Sequence, residues 1–331
     1  MKHNIMLPKV SLCTPTFNRR PFIPHLIKCV ENQTYPKELI EWIIIDDGTD
    51  DIEDLVQHIS YVHYIRISPK IPLGEKRNMS HQFCNGDIII YMDDDDYYPP
   101  QRVEHAVETL LQNPDKLIAG AKTMNIYFKH NKKMYLFGPY GENRITAATF
   151  AFRRELLQNA RYNDAKCLAE EKEFLNNFTI PIAELDTNKT ILVMSHIHNT
   201  FDKKELLAQG ENNPYVKIST KTLEDFISDP EELLFYAETI DKELETYLPG
   251  NITNKPDVLL QKYMIENERY RRELTASSRK LEESIRQLNF MKQENERLTT
   301  MNNLMLEQLK KIKQNQINKY HDSWTLLSGN S

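Results

Sequence analysis

The chain has 331 residues and carries 42 Lys plus Arg against 48 Asp plus Glu, a net charge of −6; this excludes the basic surplus of a general nucleic-acid binder. Hydrophobic residues make up 40% and charged residues 27%, so a buried core is available, wholesale disorder is excluded, and the length suits two domains. Cys13, Cys29, Cys84 and Cys167 are scattered without a CxxC pair, which favours reduced core thiols over a disulfide framework or a zinc site.

In chain order, Lys9–Cys13 reads as a first strand and Phe22–Gln33 as an amphipathic helix. Trp42–Ile45 is a second strand, stopped by Asp46-Asp47-Gly48. A helical stretch over Asp51–Ile59 leads to a third strand at Val62–Ile67. Gly74–Cys84 is helical, and Asp87–Met92 is a fourth strand. The strands are continuous β-branched runs, the pattern of strands buried on both faces of a parallel sheet. Their alternation with helices predicts right-handed βαβ units in an α/β domain. Ligands bind such sheets beyond the carboxyl ends of the strands, and that is where Thr14-Pro15-Thr16, Asp46-Asp47-Gly48 and Asp93–Asp96 fall.

From about Leu206 the composition turns helical and charged, punctuated by Pro214, Pro230, Pro249 and Pro256. From Leu260 a heptad seam can be counted. One position reads Leu260, Asn267, Leu274, Leu281, Leu288, Asn295, Asn302, Leu309; the other reads Tyr263, Tyr270, Ser277, Ser284, Met291, Leu298, Met305, Ile312. A 3–4 spacing sustained over eight heptads predicts a coiled coil, and Asn at core positions favours a parallel, in-register homodimer. The predicted organisation is a nucleotide-type α/β domain over 1–205, a helical connector over 206–256, a coiled-coil helix over 257–314 and a flexible tail over 315–331. No run of roughly 18 apolar residues is present to span a bilayer, and no secretory leader is visible, so the expected location is cytoplasmic.

The acidic run Asp93–Asp96 carries the first chemical signal. It follows directly on the buried strand Ile88–Met92 and is closed by Tyr97-Tyr98-Pro99-Pro100. Four neighbouring carboxylates repel one another unless a cation neutralises them, and hard ions with oxygen ligands, Mn2+ or Mg2+, suit such a loop.

Six segments in order resemble the GT-A fold, family 2 inverting glycosyltransferases. They are Pro8–Arg19 (PKVSLCTPTFNR); Asn32–Pro36 with Ile43–Gly48; Gly74–Asn78 (GEKRN); Met92–Asp96 with Pro100; Ala169-Glu170-Glu171 with Phe174; and His196–Thr200 (HIHNT). The resemblance implies a GT-A (Rossmann-like) nucleotide-diphospho-sugar transferase domain with a C-terminal helical extension. It implies a donor site built from Thr14, Pro15, Thr16, Asn18, Arg19, Asp47, Lys76, Arg77, Asp93 and Asp94, with a UDP-sugar as the leading donor. It implies a Mn2+ or Mg2+ site at Asp95, Asp93 and His196, and a catalytic base at Glu171 with Glu170 as fallback. The sequence departs from the family at this last motif, where Gly-Glu-Asp is usual and Ala-Glu-Glu stands instead. The Arg144–Phe150 stretch corresponds to where the family lines its acceptor pocket; the acceptor is a glycan, lipid or protein hydroxyl that the sequence does not identify. Two rivals are a sugar-phosphate nucleotidyltransferase and a coiled-coil scaffold with an inactive transferase domain. The first wants a Gly-rich N-terminal loop where this chain has TPTFNRR, and the second sits poorly with Asp95, Glu171 and His196 all present.

Overall fold

The computed structural model describes residues 6–207 and 213–328, with side chains through 319. Residues 1–5 of the expected first domain, 208–212 of the expected connector and 329–331 of the expected tail lie outside the described residues. The chain forms two units, Met1–Tyr263 and Met264–Ser331.

In the first unit, β1 (Val10–Thr16), β2 (Ile40–Asp46), β3 (Val62–Arg66) and β4 (Ile88–Tyr91) pair in parallel, with α1 (Ile23–Glu31), α2 (Glu53–Val56) and α3 (Leu73–Phe83) between them. Helix α1 forms because Ile23, Leu26, Cys29 and Val30 recur on one face and bury together. Strand β1 runs three residues beyond the sequence expectation, because Thr14, Pro15 and Thr16 stay in register with Ile44, Ile45 and Asp46. The helix expected over 51–59 shrinks to one turn. The Ile59 N–H bonds back to Val56 O at 3.0 Å and the Val62 N–H to Ile59 O, a tight turn that feeds β3.

After α4 (Arg102–Gln112) come β5 (Ile118–Gly120), β6 (Met124–Phe128), β7 (Lys133–Phe137), β8 (Ala151–Arg153), α5 (Glu171–Phe174), β9 (Ile182–Glu184), β10 (Leu192–Ser195) and β11 (Val216–Ile218). The main sheet has the order β3-β2-β1-β4-β8-β5-β9, with β8 antiparallel to both neighbours. A second sheet, β10-β6-β7-β11, is joined to the acidic loop by a bridge between Tyr97 and Leu192. The acidic loop therefore sits at the carboxyl end of β4 with β10 beside it.

The segment expected as a connector contributes to the core. It contains α6 (Pro230–Leu234), a π-helical turn at Phe235–Thr239 and α7 (Ile240–Thr246), and its Leu223, Ile227, Phe235, Tyr236, Ile240 and Leu244 bury in the main hydrophobic cluster. Apolar residues scattered among charges gave this segment the look of a link, yet the compact unit closes only at Tyr263.

Helix α8 (Pro256–Ser328) begins in the first unit and makes up the described part of the second. It runs through the tail expected to be flexible, up to Ser328. Its apolar seam side chains from Leu260 to Ile312 are each 52–69% exposed. Along its surface, Arg269–Glu273, Arg286–Glu282 and Arg297–Glu294 pair one turn apart, as does Arg272 with Glu268. No helix among the described residues is long and apolar enough to cross a membrane.

Candidate active site

A cavity of about 330 Å3 opens at the carboxyl ends of β1 and β4. Its wall combines Pro15, Thr16, Phe17 and Arg19 after β1, the whole Asp93–Asp96 loop after β4, Lys76 and Arg77 of α3, and Glu170 and Glu171 at α5. Helix α3 comes close because Gly74 leaves room for the chain: a Cβ there would lie 2.1 Å from Asn163 O, and its N–H bonds to Lys166 O at 2.8 Å. Lys76 and Arg77 are thereby buried beneath the cavity.

Most charges here are paired. Arg77 donates from Nε to Glu170 Oε1 at 3.0 Å and from Nη2 to Asp93 Oδ1 at 3.4 Å, with its guanidinium 4.5 Å from the centre of the Tyr91 ring. Arg19 reaches Asp94 at 3.6 Å and Asp95 at 3.4 Å, and donates to His198 O at 2.8 Å. Lys76 donates to Thr16 O at 2.8 Å and to Asp47. Lys70 pairs with Asp257 at 2.5 Å.

The four aspartates are not equivalent. Asp95 is held well below the usual carboxylate range: burial would raise it, and the His196 contact at 3.1 Å together with Arg19 overcomes that. Burial pushes His196 down to about 3, so at neutral pH it stands as a neutral imidazole beside an ionised Asp95. Burial pushes Asp94 up to about 7 and raises Asp93, Arg77 opposing the latter shift. Asp96, raised well above the usual carboxylate range by burial, accepts the Met194 N–H at 2.8 Å and ties the loop to β10.

Glu171 also lines a neighbouring cleft of about 200 Å3 with Lys122, Tyr140, Arg144, Thr146 and Phe178. Burial, with the adjacent Glu170 charge, pushes it up to about 7. Glu170 is only 5% exposed and committed to Arg77. The residue before the pair, Ala169, adopts φ +51°, the left-handed region that costs an L side chain roughly 1–2 kcal/mol.

Set against the sequence expectations, Pro15, Thr16, Arg19, Lys76, Arg77 and Asp93–Asp95 do meet on one cavity wall, and Glu171 joins them. Thr14, Asn18 and Asp47 do not line it. Thr14 is fully buried, its hydroxyl donating to Met92 O and accepting from Trp42 Nε1. Asn18, at φ +52°, accepts the Thr49 and Asp50 N–H groups and donates to Pro249 O. Asp47 accepts from Lys76 on one oxygen and from the Ile71 N–H at 2.9 Å on the other. His196 stands behind Asp95, its side chain wholly buried, and orients that carboxylate from outside the cavity. Asp93 turns toward Arg77 and away from the Asp95–His196 pair, so the three expected metal ligands do not converge; among the described residues no three His, Cys, Asp or Glu side chains cluster for a metal.

Sequence reasoning missed Lys203 and Lys255, both on the cavity wall. The available signal was that a cation directly before a helix opened by Pro256 opposes the helix dipole, which makes Lys255 electrostatically misplaced for a structural residue.

Residues 11–169 match the model of glycosyl transferase family 2. That segment belongs to the family. The family 2 domain is 30% identical over 107 residues to an uncharacterized glycosyltransferase of Haemophilus influenzae, covering 32% of this chain and 36% of the relative. It is 26% identical over 178 residues to the GalNAc(5)-diNAcBac-PP-undecaprenol beta-1,3-glucosyltransferase of Campylobacter jejuni, covering 48% and 56% respectively. The chain thus spans from about a third to just over half of the length of these curated relatives. Among solved structures it is similar to S. aureus TarS 1-349, at 17% identity and a TM-score of 0.46, over 56% of this chain and 60% of that one.

Proposed function

We propose that the chain is a metal-dependent, inverting glycosyltransferase that moves a sugar from a nucleoside diphosphate donor, a UDP-sugar first among them, to a hydroxyl acceptor. The observation that carries this reading is Glu171: a carboxylate shifted to about 7, on a wall shared by the acid-loop cavity and the Tyr140–Phe178 cleft, with its neighbour Glu170 held by Arg77. A base poised near 7 can take the proton of an acceptor hydroxyl at neutral pH. As the hydroxyl oxygen bonds to the anomeric carbon from one face, the bond to the diphosphate oxygen breaks on the other, both electrons leave with the diphosphate, and the configuration inverts.

The residues present suit a Mn2+ or Mg2+ ion. Such ions take one or two carboxylates and complete their shell with substrate phosphates and water, so a loop of carboxylates without a three-residue cage fits them. Asp95, ionised and oriented by His196, would hold the ion, with Asp93 as second ligand once Arg77 turns to the substrate. When bound, the ion supplies positive charge to the departing diphosphate. Arg19 and Arg77 fix the acid loop, and Lys76, held by Asp47, adds a third cation to the cavity wall.

The exposed seam of α8 supports a parallel homodimer, because pairing two copies covers Leu, Met and Ile side chains that one helix leaves in water. The four buried free cysteines suit a cytoplasmic setting. The deciding experiment is turnover of a panel of UDP-, GDP- and dTDP-sugars with Mn2+ and with EDTA. Turnover of one donor that EDTA abolishes supports the reading, and undiminished turnover in EDTA removes the metal from it. Light scattering tests assembly: the full chain is expected as a dimer and a chain ending at Tyr263 as a monomer.

A further inference from the structure

Of the six cations on the cavity wall, four have carboxylate partners: Arg19, Lys70, Lys76 and Arg77. Lys203 and Lys255 have none within 4 Å among the described residues. Lys203 Nζ donates to Met194 O at 3.1 Å, and Lys255 Nζ to Thr200 Oγ1 at 3.1 Å. Lys255 is the more telling of the two, being only 7% exposed. A buried ammonium satisfied by one neutral hydroxyl is costly, and proteins keep such a charge where a bound anion compensates it.

The backbone holds Lys255 in place. Its N–H bonds to Ile252 O at 2.9 Å and its carbonyl accepts the Leu259 N–H at 3.1 Å, which fixes it at the start of α8. The segment just before it packs tightly on the β1 loop and on the loop after β10: a Cβ on Gly250 would meet His198 Nδ1 at 2.7 Å and Asn18 O at 2.9 Å. The ammonium lies 5.6 Å from the centre of the Phe17 ring, on the same cavity wall as Thr16 and the acid loop.

We propose that Lys255, assisted by Lys203, forms a diphosphate subsite that grips the nucleoside diphosphate in the donor and as it departs. With the dianion bound beside it Lys255 holds its proton as an ammonium, and the electron pair of the broken bond stays on the departing phosphate oxygen. This rests on the transferase reading above and adds to it that the anion-holding charge comes from beyond the family 2 segment, which ends at residue 169.

The test is calorimetric binding of UDP, GDP, dTDP and uridine to the full chain with Mn2+ present, for wild type, Lys255→Met, Lys255→Arg and Lys203→Met, each paired with a thermal melt without nucleotide. The expected result is that K255M weakens diphosphate binding at least about tenfold, leaves uridine binding unchanged, and melts no lower than wild type without ligand, because it removes an uncompensated buried charge. K255R keeps the charge and most of the affinity, and K203M shows a smaller loss. Diphosphate affinity of K255M within twofold of wild type overturns the proposal while leaving the transferase reading intact. So does a loss that uridine shares equally, or a lower ligand-free melt for both K255M and K255R, since either marks Lys255 as structural. Wild-type protein that binds none of the three diphosphates overturns the transferase reading and this proposal with it.

Discussion

The cavity has two walls of different origin. One is built from residues 15–171 and holds every cavity carboxylate except Asp257, each engaged by a cation or shifted by burial: Asp93 with Arg77, Asp95 with Arg19, and Glu171 pushed to about 7. The other comes from residues 193–258 and holds two lysines without carboxylate partners. The first wall has its charges arranged before any ligand arrives; the second has charge in excess. Under the proposed reading this difference separates chemistry from grip in one cavity, the first wall setting the rate of the bond change and the second the affinity for the leaving group.

Four substitutions and one titration can break or sharpen that division. The largest expected effect is at Glu171→Gln, which keeps the shape but cannot take a proton; kcat should fall about a thousandfold while UDP affinity stays within twofold, measured by a transfer assay beside calorimetry. Next, Asp95→Asn should lower donor turnover roughly a hundredfold and flatten its dependence on added Mn2+, with His196→Ala, which frees the Asp95 carboxylate to rotate and also empties a buried site beside Phe22, costing about tenfold. Third is pH. Glu171 works as a carboxylate and is protonated below its raised value of about 7, so kcat should drop about tenfold per unit below pH 6. Asp94 and Lys255 also titrate near 7 and report through nucleotide affinity, so the kcat limb missing from the residual activity of Glu171→Gln is the one that belongs to the base. Smallest is Ala169→Gly: glycine accepts φ +51° without strain, and thermal unfolding should show a gain of about 1 kcal/mol with little change in turnover.

The two walls also differ in how well the sequence could be read. Strands β1, β2 and β4 announce themselves as unbroken apolar runs, and the acid loop and the Glu pair are local strings whose neighbours stop a strand or start a helix. Lys203 carries no such local mark, and Lys255 only its place directly before the helix that Pro256 opens. In sequence they are two charges among many in a charged region, and only the packing of Gly250 against Asn18 and His198, more than fifty residues away at the nearest, brings Lys255 to the cavity. Asp47 differs in another way. Its local string marks a loop after a strand, and only the fold shows that Lys76, 29 positions on, pairs with its carboxylate. The core role of residues 223–244 was hidden because the apolar side chains of α6, the π-helical turn and α7 follow no single period long enough to stand out from their charged neighbours.

Arg77 has a consequence of another kind. One rigid guanidinium grips Asp93 on the loop after β4 and Glu170 on the turn beside the base, while lying flat over Tyr91. Two pieces of chain 77 positions apart are therefore yoked by a single side chain. A ligand that drew Asp93 out of that grip would leave the guanidinium held by Glu170 alone, through Nε, on the residue next to Glu171. A lysine in its place would keep the charge but lose the planar fork whose separate nitrogens face the two carboxylates.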